Sequence, residues 1–235
     1  MRLSPPSFLA AASLLSASCS PHAPDDDAAS RPEVVVTNSP LIAERRVEVA
    51  GGPVLVLEAG NGDGPDLLLL HGAAFRAETW RELGTLSLAA AEGLHVFAVD
   101  LPGFGDTPRS QLGREEFLVA LIGVLELETP TVVSPSMSGG FTLPVLLEHP
   151  ELLGGWVAVA PAGVSGPPAG LSSLDLPTLV VWGSEDNVFP LEQGRRLAQT
   201  IPGAELLVLE GARHPCYLDQ PELFHERVLA FARKH

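Results

Sequence analysis

The chain has 235 residues, of which 46% are hydrophobic and 18% charged, so it can bury the core of one α/β domain but not a second full domain. The formal net charge of −15 argues against nucleic acid as a partner, because phosphate binding depends on clustered Lys and Arg. The two cysteines, Cys19 and Cys216, are too few for a disulfide framework to explain the fold.

Residues 1–18 have the order of a secretory signal peptide. Arg2 precedes an apolar run at residues 8–15, and small residues then lead to Cys19. A cysteine after small residues resembles the lipobox of bacterial lipoproteins, although Leu15 lies four residues before the cysteine rather than the usual three. The pattern predicts export as a lipoprotein anchored to the membrane by a lipid on Cys19, with a periplasmic or secreted protein as the alternative.

Residues 19–32 are rich in Pro, Ala and Asp and show no apolar periodicity. Such a composition predicts a disordered tether, because it cannot bury enough apolar surface to fold. We therefore expect one folded domain over residues 33–235.

From residue 33 onward, apolar runs alternate with helical patterns, which predicts an α/β fold with a mostly parallel, doubly wound sheet. The turn at residues 50–53 predicts an antiparallel hairpin at one sheet edge. Only a short connection joins residues 160 and 178, so we expect no helical lid, or a minimal cap. Strands are predicted near residues 34–36, 46–49, 54–58, 67–70, 95–99, 131–133, 156–160, 178–182 and 205–209. Helices are predicted near residues 79–92, 114–127, 139–149, 191–200 and 221–233.

Residues 132–140 form a β-branched run that ends in small residues and enters a helix, with Ser136 at the centre. This order is typical of a nucleophile elbow, in which the residues two before and two after the nucleophile must be small. Ser134 and Ser138 occupy those two positions in place of the usual glycines. We therefore predict that Ser136 is a catalytic nucleophile.

A serine nucleophile needs a base, and the base needs an acid that holds its tautomer. In the hydrolases with this elbow, the chain order is Ser, then Asp or Glu, then His. Asp186 and His214 follow Ser136 in that order, each just beyond an apolar strand, where the carboxyl edge of a sheet would bring them together. Glu185 is the alternative acid. The other histidines considered fit the base role less well: His71, His95 and His149.

The oxyanion that forms when serine attacks a carbonyl needs two backbone N–H donors. Met137, directly after the nucleophile, is predicted to supply one, and Ala73, in the loop after His71, the other, with Ala74 as the alternative.

Two neighbouring side chains are predicted to be structural. Asp100 belongs to a tight loop after a strand, and Cys216 is expected to be a buried packing residue rather than a reactive thiol.

The chain resembles the alpha/beta hydrolase domain-containing protein 14 family. The resemblance lies in the Ser-Pro-Ser elbow at residues 134–136, His71-Gly72, and the stretch at residues 211–219 that includes His-Pro-Cys-Tyr-Leu-Asp. It runs from about residue 46 to the C-terminus and implies a compact, lidless α/β hydrolase with a Ser136, Asp186 and His214 triad.

The resembled family implies hydrolysis of small acyl esters. Its better-known members are associated with removing acetyl groups from protein lysines and passing them to coenzyme A. Those members are intracellular, whereas the leader predicts export, so the acetyl transfer is not carried over. Arg213 also stands where the family has a glycine, which puts a cation beside His214.

Together these features predict a serine hydrolase that cleaves small acyl esters, or amides or thioesters, without a metal or cofactor. Its expected partner is a small-molecule acyl substrate, and its only expected contact with a membrane is the lipid on Cys19. The alternatives are a non-catalytic binding protein with the same fold and a protein deacylase or acyltransferase as in the resembled family.

Overall fold

The computed structural model describes residues 41–166 and 170–235. The predicted signal peptide, the predicted tether with Cys19, and the strand predicted at residues 34–36 lie outside the described residues. No helix in the described ranges is long and apolar enough to cross a membrane.

One eight-stranded sheet organises the fold, with the strand order β1-β2-β4-β3-β5-β6-β7-β8. The strand β2 is antiparallel to both of its neighbours, and the pairs from β4 to β8 are parallel. This mostly parallel sheet with helices on both faces confirms the predicted α/β-hydrolase fold. The strands are β1 Ala43–Val49, β2 Gly52–Ala59, β3 Asp66–Leu69, β4 His95–Val99, β5 Thr131–Pro135, β6 Gly155–Val159, β7 Thr178–Gly183 and β8 Glu205–Leu209.

The hairpin predicted at the sheet edge is confirmed. Val49 of β1 pairs with Gly52 of β2, so the loop holds only Ala50 and Gly51. Their φ angles are 50° and 80°, and positive φ at both loop residues is what a tight turn between right-twisted strands requires.

Seven α-helices connect and cover the strands: α1 Ala77–Glu82, α2 Thr85–Ala91, α3 Arg114–Val124, α4 Gly139–Glu148, α5 Leu191–Thr200, α6 Cys216–Asp219 and α7 Pro221–Ala232. The single helix predicted over residues 79–92 is wrong, because α1 and α2 are separate. Gly84 lies between them with φ of 76°, a left-handed conformation that ends one helix and starts the next in a new direction. The short helix α6 was not predicted.

Two apolar clusters pack against opposite faces of the sheet. Trp156 and Trp182 belong to one, and Trp80 and Phe224 belong to the other, and all four side chains are buried. Every residue of β5, β6 and β7 is buried, as expected for continuously apolar strands covered by helices on both faces.

The connection between β6 and β7 is short, as the sequence predicts. Its described part contains one 3₁₀ turn, Leu171–Ser173, and no longer helix. The carboxyl edge of the central strands is therefore not covered by a helical lid from this part of the connection.

Candidate active site

The predicted nucleophile lies on a sharp turn at the end of the central strand β5. Ser136 directly follows Pro135 and begins a 3₁₀ turn, Ser136–Ser138, that leads into α4. Its φ is 51°, a conformation that residues other than glycine rarely adopt and that is typical of strained functional positions. The Ser136 carbonyl accepts a hydrogen bond from Ala162 N–H at 2.7 Å, which ties the turn to the loop after β6.

The two serines that flank this turn use their hydroxyl groups. Ser134 accepts a hydrogen bond from the indole N–H of Trp156 at 2.6 Å, and Ser138 donates to the carbonyl of Pro135 at 2.8 Å. Both serines are fully buried. The elbow pattern requires only that these positions be small, whereas in the structure Ser134 also satisfies a buried donor that a glycine would leave without a partner.

The three residues predicted to form a triad lie together at the carboxyl edge of the sheet. Asp186 lies in the loop after β7, and His214 lies in the loop after β8. The Nε2 atom of His214 is 3.0 Å from Ser136 Oγ, and its Nδ1 atom is 2.7 Å from Asp186 Oδ2. Glu185, the alternative acid, is exposed, and Asp186 is the carboxylate bonded to the imidazole.

The loop after β7 holds the Asp186 carboxylate in place. Its Oδ1 atom accepts hydrogen bonds from the N–H groups of Val188 and Phe189, each at 2.8 Å, and its side chain is 0% exposed. The Oδ2 atom is thereby left to His214, whose ring also packs edge-to-face against Phe189 with 5.4 Å between centroids. A carboxylate at Nδ1 favours the tautomer whose Nε2 lone pair faces the serine hydroxyl.

The loop after β3 lies against the nucleophile. A Cβ atom on Gly72 would be 3.5 Å from Ser136 Cβ. The Gly72 carbonyl accepts hydrogen bonds from Phe75 N–H at 3.1 Å and from the His71 ring at 2.8 Å. Because N–H and C=O point in opposite directions in a trans peptide, these bonds also fix the direction of the Ala73 N–H, one of the two predicted oxyanion donors. Met137, the other, is the residue directly after Ser136 in the 3₁₀ turn.

His71 supports this loop, a role that sequence analysis missed. Its Nε2 atom accepts a hydrogen bond from Leu101 N–H at 2.9 Å, so the proton must be on Nδ1, which donates to the Gly72 carbonyl. Burial lowers the pKa of His71, which keeps the ring in this neutral form. The partner on Leu101 lies too far along the chain for a local pattern to have revealed it.

Asp100 and Cys216 have the structural roles that were predicted. Asp100 is buried and accepts hydrogen bonds from Ala77 N–H at 2.7 Å and Asp106 N–H at 2.8 Å, which joins the start of α1 to the loop after β4. Cys216 is buried, and burial raises the pKa of its thiol to about 12, so the thiolate is not populated at neutral pH.

The two remaining histidine candidates, and Arg213, each lie beside a carboxylate. His95 contacts Glu58 and Asp66, and His149 lies 3.4 Å from Glu115. Arg213 donates to both carboxylate oxygens of Asp219, at 3.0 and 2.9 Å, so the cation next to His214 in sequence is paired.

Comparisons with known proteins agree with this architecture. A model described as "Alpha/beta hydrolase family" matches residues 67–177, and one described as "alpha/beta hydrolase fold" matches residues 147–221. Protein ABHD14A of Danio rerio is 40% identical over 174 residues, which cover 72% of this chain and 64% of that protein. The putative protein-lysine deacylase ABHD14B of Homo sapiens is 39% identical over 201 residues, which cover 80% of this chain and 94% of that protein. The crystal structure of a predicted CIB-like hydrolase from Thermoplasma acidophilum superposes with a TM-score of 0.79 at 28% identity, covering 83% of this chain and 100% of that one.

These relatives contradict the predicted localisation. The sequence-based expectation of an exported lipoprotein, lipidated at Cys19, is wrong, since the relatives are ABHD14 proteins, which are mainly intracellular, and none of the comparisons supports a lipoprotein or a signal peptide. The expectation relied on the order of residue types over a short leader, a signal that unrelated N-terminal segments can also show. Acetyl transfer was excluded only because export was expected, so without export it is no longer excluded.

Proposed function

Because the chain belongs to the ABHD14 family of α/β hydrolases, we propose that it is a serine hydrolase that cleaves small acyl esters through an acyl-enzyme on Ser136. The observation that carries the proposal is the continuous chain of hydrogen bonds from Ser136 Oγ through His214 to Asp186. A base within hydrogen-bond reach of the nucleophile, oriented in turn by a buried acid, is the arrangement that activates a serine.

In the first half of the reaction, Ser136 Oγ attacks the ester carbonyl while His214 Nε2 takes the hydroxyl proton. The carbonyl oxygen becomes an oxyanion, which the N–H groups of Met137 and Ala73 stabilise. The imidazolium that forms is stabilised by Asp186 at Nδ1. When the tetrahedral intermediate collapses, His214 gives its proton to the leaving alcohol, and the acyl group remains on Ser136.

In the second half, water replaces the alcohol. His214, now neutral again, takes a proton from the water as its oxygen attacks the acyl carbon, and the same two N–H groups stabilise the second oxyanion. Collapse returns the proton from His214 to Ser136 Oγ and releases the carboxylic acid. The absence of a helical lid in the described part of the β6–β7 connection leaves an open approach for this water and for the substrate.

The test is covalent labelling of the full chain by a fluorophosphonate probe, followed by mass mapping, together with hydrolysis of a short acyl ester. We expect labelling at Ser136, and we expect Ser136→Ala to lose both labelling and turnover. Ser172→Ala, which changes an exposed serine in the β6–β7 connection, is the matched control and should retain both. A folded wild-type protein that is neither labelled nor active would favour a binding protein that only retains the fold.

A second candidate function is the deacylation of lysine side chains. The observation that favours it is the 39% identity to a human protein named as a putative protein-lysine deacylase. The mechanism would be the same, except that His214 protonates a leaving amine rather than an alcohol. Mass spectrometry of acyl-lysine peptides incubated with the wild type and with Ser136→Ala would decide between an esterase and a deacylase.

A further inference from the structure

An open cleft with a volume of about 340 Å³ is lined in part by the 3₁₀ turn that follows β5 and by α4. Met137, the residue after Ser136, lines one end of it. Phe104 also lines it, and the ring of Phe104 packs edge-to-face against His71 with 5.2 Å between centroids. The cleft therefore borders Met137, one predicted oxyanion donor, and a ring that packs on His71 in the loop of the other.

Two cations line this cleft, Arg109 and Arg114. Neither is paired with a carboxylate in the ranges that the structure describes, although the chain has 29 Asp and Glu against 14 Lys and Arg. Most other described arginines are paired with an acid: Arg45, Arg46, Arg81, Arg195, Arg213, Arg227 and Arg233. Two of the described cations without a carboxylate partner thus lie together at one cleft, whereas the other three, Arg76, Arg196 and Lys234, do not line it.

Both arginine side chains pack against a glycine, whose lack of a Cβ lets them approach the backbone closely. A Cβ atom on Gly140 would be 2.5 Å from Arg114 Nη1, and one on Gly103 would be 3.2 Å from Arg109 Cγ. The Arg114 guanidinium also lies 5.4 Å from the centroid of the Phe141 ring. Arg114 is exposed, and its guanidinium packs against the first turn of α4.

The position of Arg114 adds a positive charge to the N-terminal end of α4. The N-terminus of an α-helix carries partial positive charge, so a cation packed on the first turn of α4 is repelled by the helix dipole. An anion in the cleft would be attracted by the helix N-terminus and by both guanidinium groups. The charge distribution of this cleft is complementary to a ligand with a negative charge.

We propose that this cleft binds an anionic group of the substrate, a carboxylate or a phosphate, while the scissile carbonyl lies at Ser136. The inference rests on the proposed serine-hydrolase function and adds a substrate class to it. A net charge of −15 would by itself repel anionic substrates, so a preference for them has to come from local cations.

The experiment compares anionic and neutral esters of the same size in two arms. The acyl arm pairs monoethyl glutarate with ethyl valerate, and the leaving-group arm pairs 4-acetoxybenzoate with 4-acetoxybenzamide. We expect kcat/KM to favour the anionic ester by about tenfold or more in one arm, which identifies the side of the ester that reaches the cleft.

Arg109→Gln and Arg114→Gln should bring that ratio towards one, whereas the control Arg227→Gln, on α7, should retain the wild-type ratio. Ratios near or below one in both arms, or ratios that neither cleft variant changes, would overturn the proposal.

A binding measurement separates this proposal from the proposed catalysis. Calorimetry on Ser136→Ala measures affinity for the same four esters without turnover. We expect the favoured anionic ester to bind about tenfold more weakly when Arg114→Gln is added, but not when Arg227→Gln is added. A cleft that binds anions in a wild-type protein without esterase activity would refute the hydrolase and retain the anion site. An active esterase with no anion preference and no Arg114-dependent binding would retain the hydrolase and refute the anion site.

Discussion

The two hydrogen-bond partners of His214 favour one tautomer of its neutral ring. Asp186 Oδ2 accepts from Nδ1, so the lone pair of Nε2 is directed at Ser136. Asp186 in turn cannot rotate freely, because two backbone N–H groups hold its other oxygen. An amide at position 186 would keep the size of the side chain but could donate a hydrogen bond to Nδ1 and select the wrong imidazole tautomer.

We therefore predict that Asp186→Asn lowers kcat for a short acyl ester by about 10³- to 10⁴-fold while the protein remains folded. Steady-state kinetics, with circular dichroism as the check on folding, measures this effect. Glu185→Gln is the matched control, because it makes the same change on the neighbouring exposed acid, and its kcat should stay close to the wild-type value. Equal losses in the two variants would mean that Asp186 has no special role.

For single residues, the sequence predicted the candidate triad but not the residues that support it. Ser136, Asp186 and His214 could be proposed because each follows a strand, in the chain order that α/β hydrolases share. The roles of His71 and Ser134 depend on Leu101 N–H and Trp156 Nε1, which are distant in the chain. Contacts of this kind have no local pattern, so only the folded structure shows them.

Among the elements, the break between α1 and α2 is the clearest difference from expectation. Apolar residues continue through it, with Leu83 before Gly84 and Leu86 after it, so helical periodicity alone predicts one continuous helix. The positive φ of Gly84 is the feature that ends α1. No atom lies within 4 Å of where a Cβ on Gly84 would be, so the cost of a side chain there would come from the backbone conformation alone.

Gly84→Ala is predicted to lower the free energy of unfolding by about 1–2 kcal/mol, the cost of a left-handed conformation for a residue with a Cβ. Gly123→Ala, in α3, is the control, because that glycine is helical and also has no atom within 4 Å of a Cβ. It should raise the free energy of unfolding by about 0.4–1 kcal/mol. Urea unfolding of both variants measures the difference, and a stabilising Gly84→Ala would mean that the chain can form one continuous helix there.

The strands were easier to predict than the helices. The runs at β7 and β8 are bounded by turn residues, and their apolar length is typical of a strand. Their predicted bounds therefore match the structure closely. The helix α6 has four residues, Cys216–Asp219, which is too short for any periodic pattern to be visible.

For the molecule as a whole, the dominant electrostatic property is the excess of negative charge. Exposed ion pairs on the described surface, such as Arg45 with Glu58 and Arg227 with Glu205, involve only a minority of the 29 acids. The remaining carboxylates repel one another, and this repulsion is stronger in the compact state than in the unfolded chain.

We predict that added NaCl raises the midpoint of urea unfolding at neutral pH. Between about 0.01 M and 0.1 M salt, the Debye length shortens from about 30 Å to about 10 Å, which screens most of the repulsion between distant acids. Salt also weakens the surface ion pairs, but each of these contributes only about 0–1 kcal/mol. A midpoint that falls with salt would show that attractive pairs outweigh the repulsion.

The sheet is open, and its two outermost strands, β1 and β8, each have one side that pairs with no other strand of the described sheet. Such a side is a template on which a second molecule could add its own strand. Along β1, Glu44, Arg45 and Arg46 are consecutive, exposed and charged, followed by exposed Glu48. Charged side chains on an edge strand disfavour pairing with a second copy. The charges along β1 therefore protect the open edge of the hairpin, at a place remote from any chemistry.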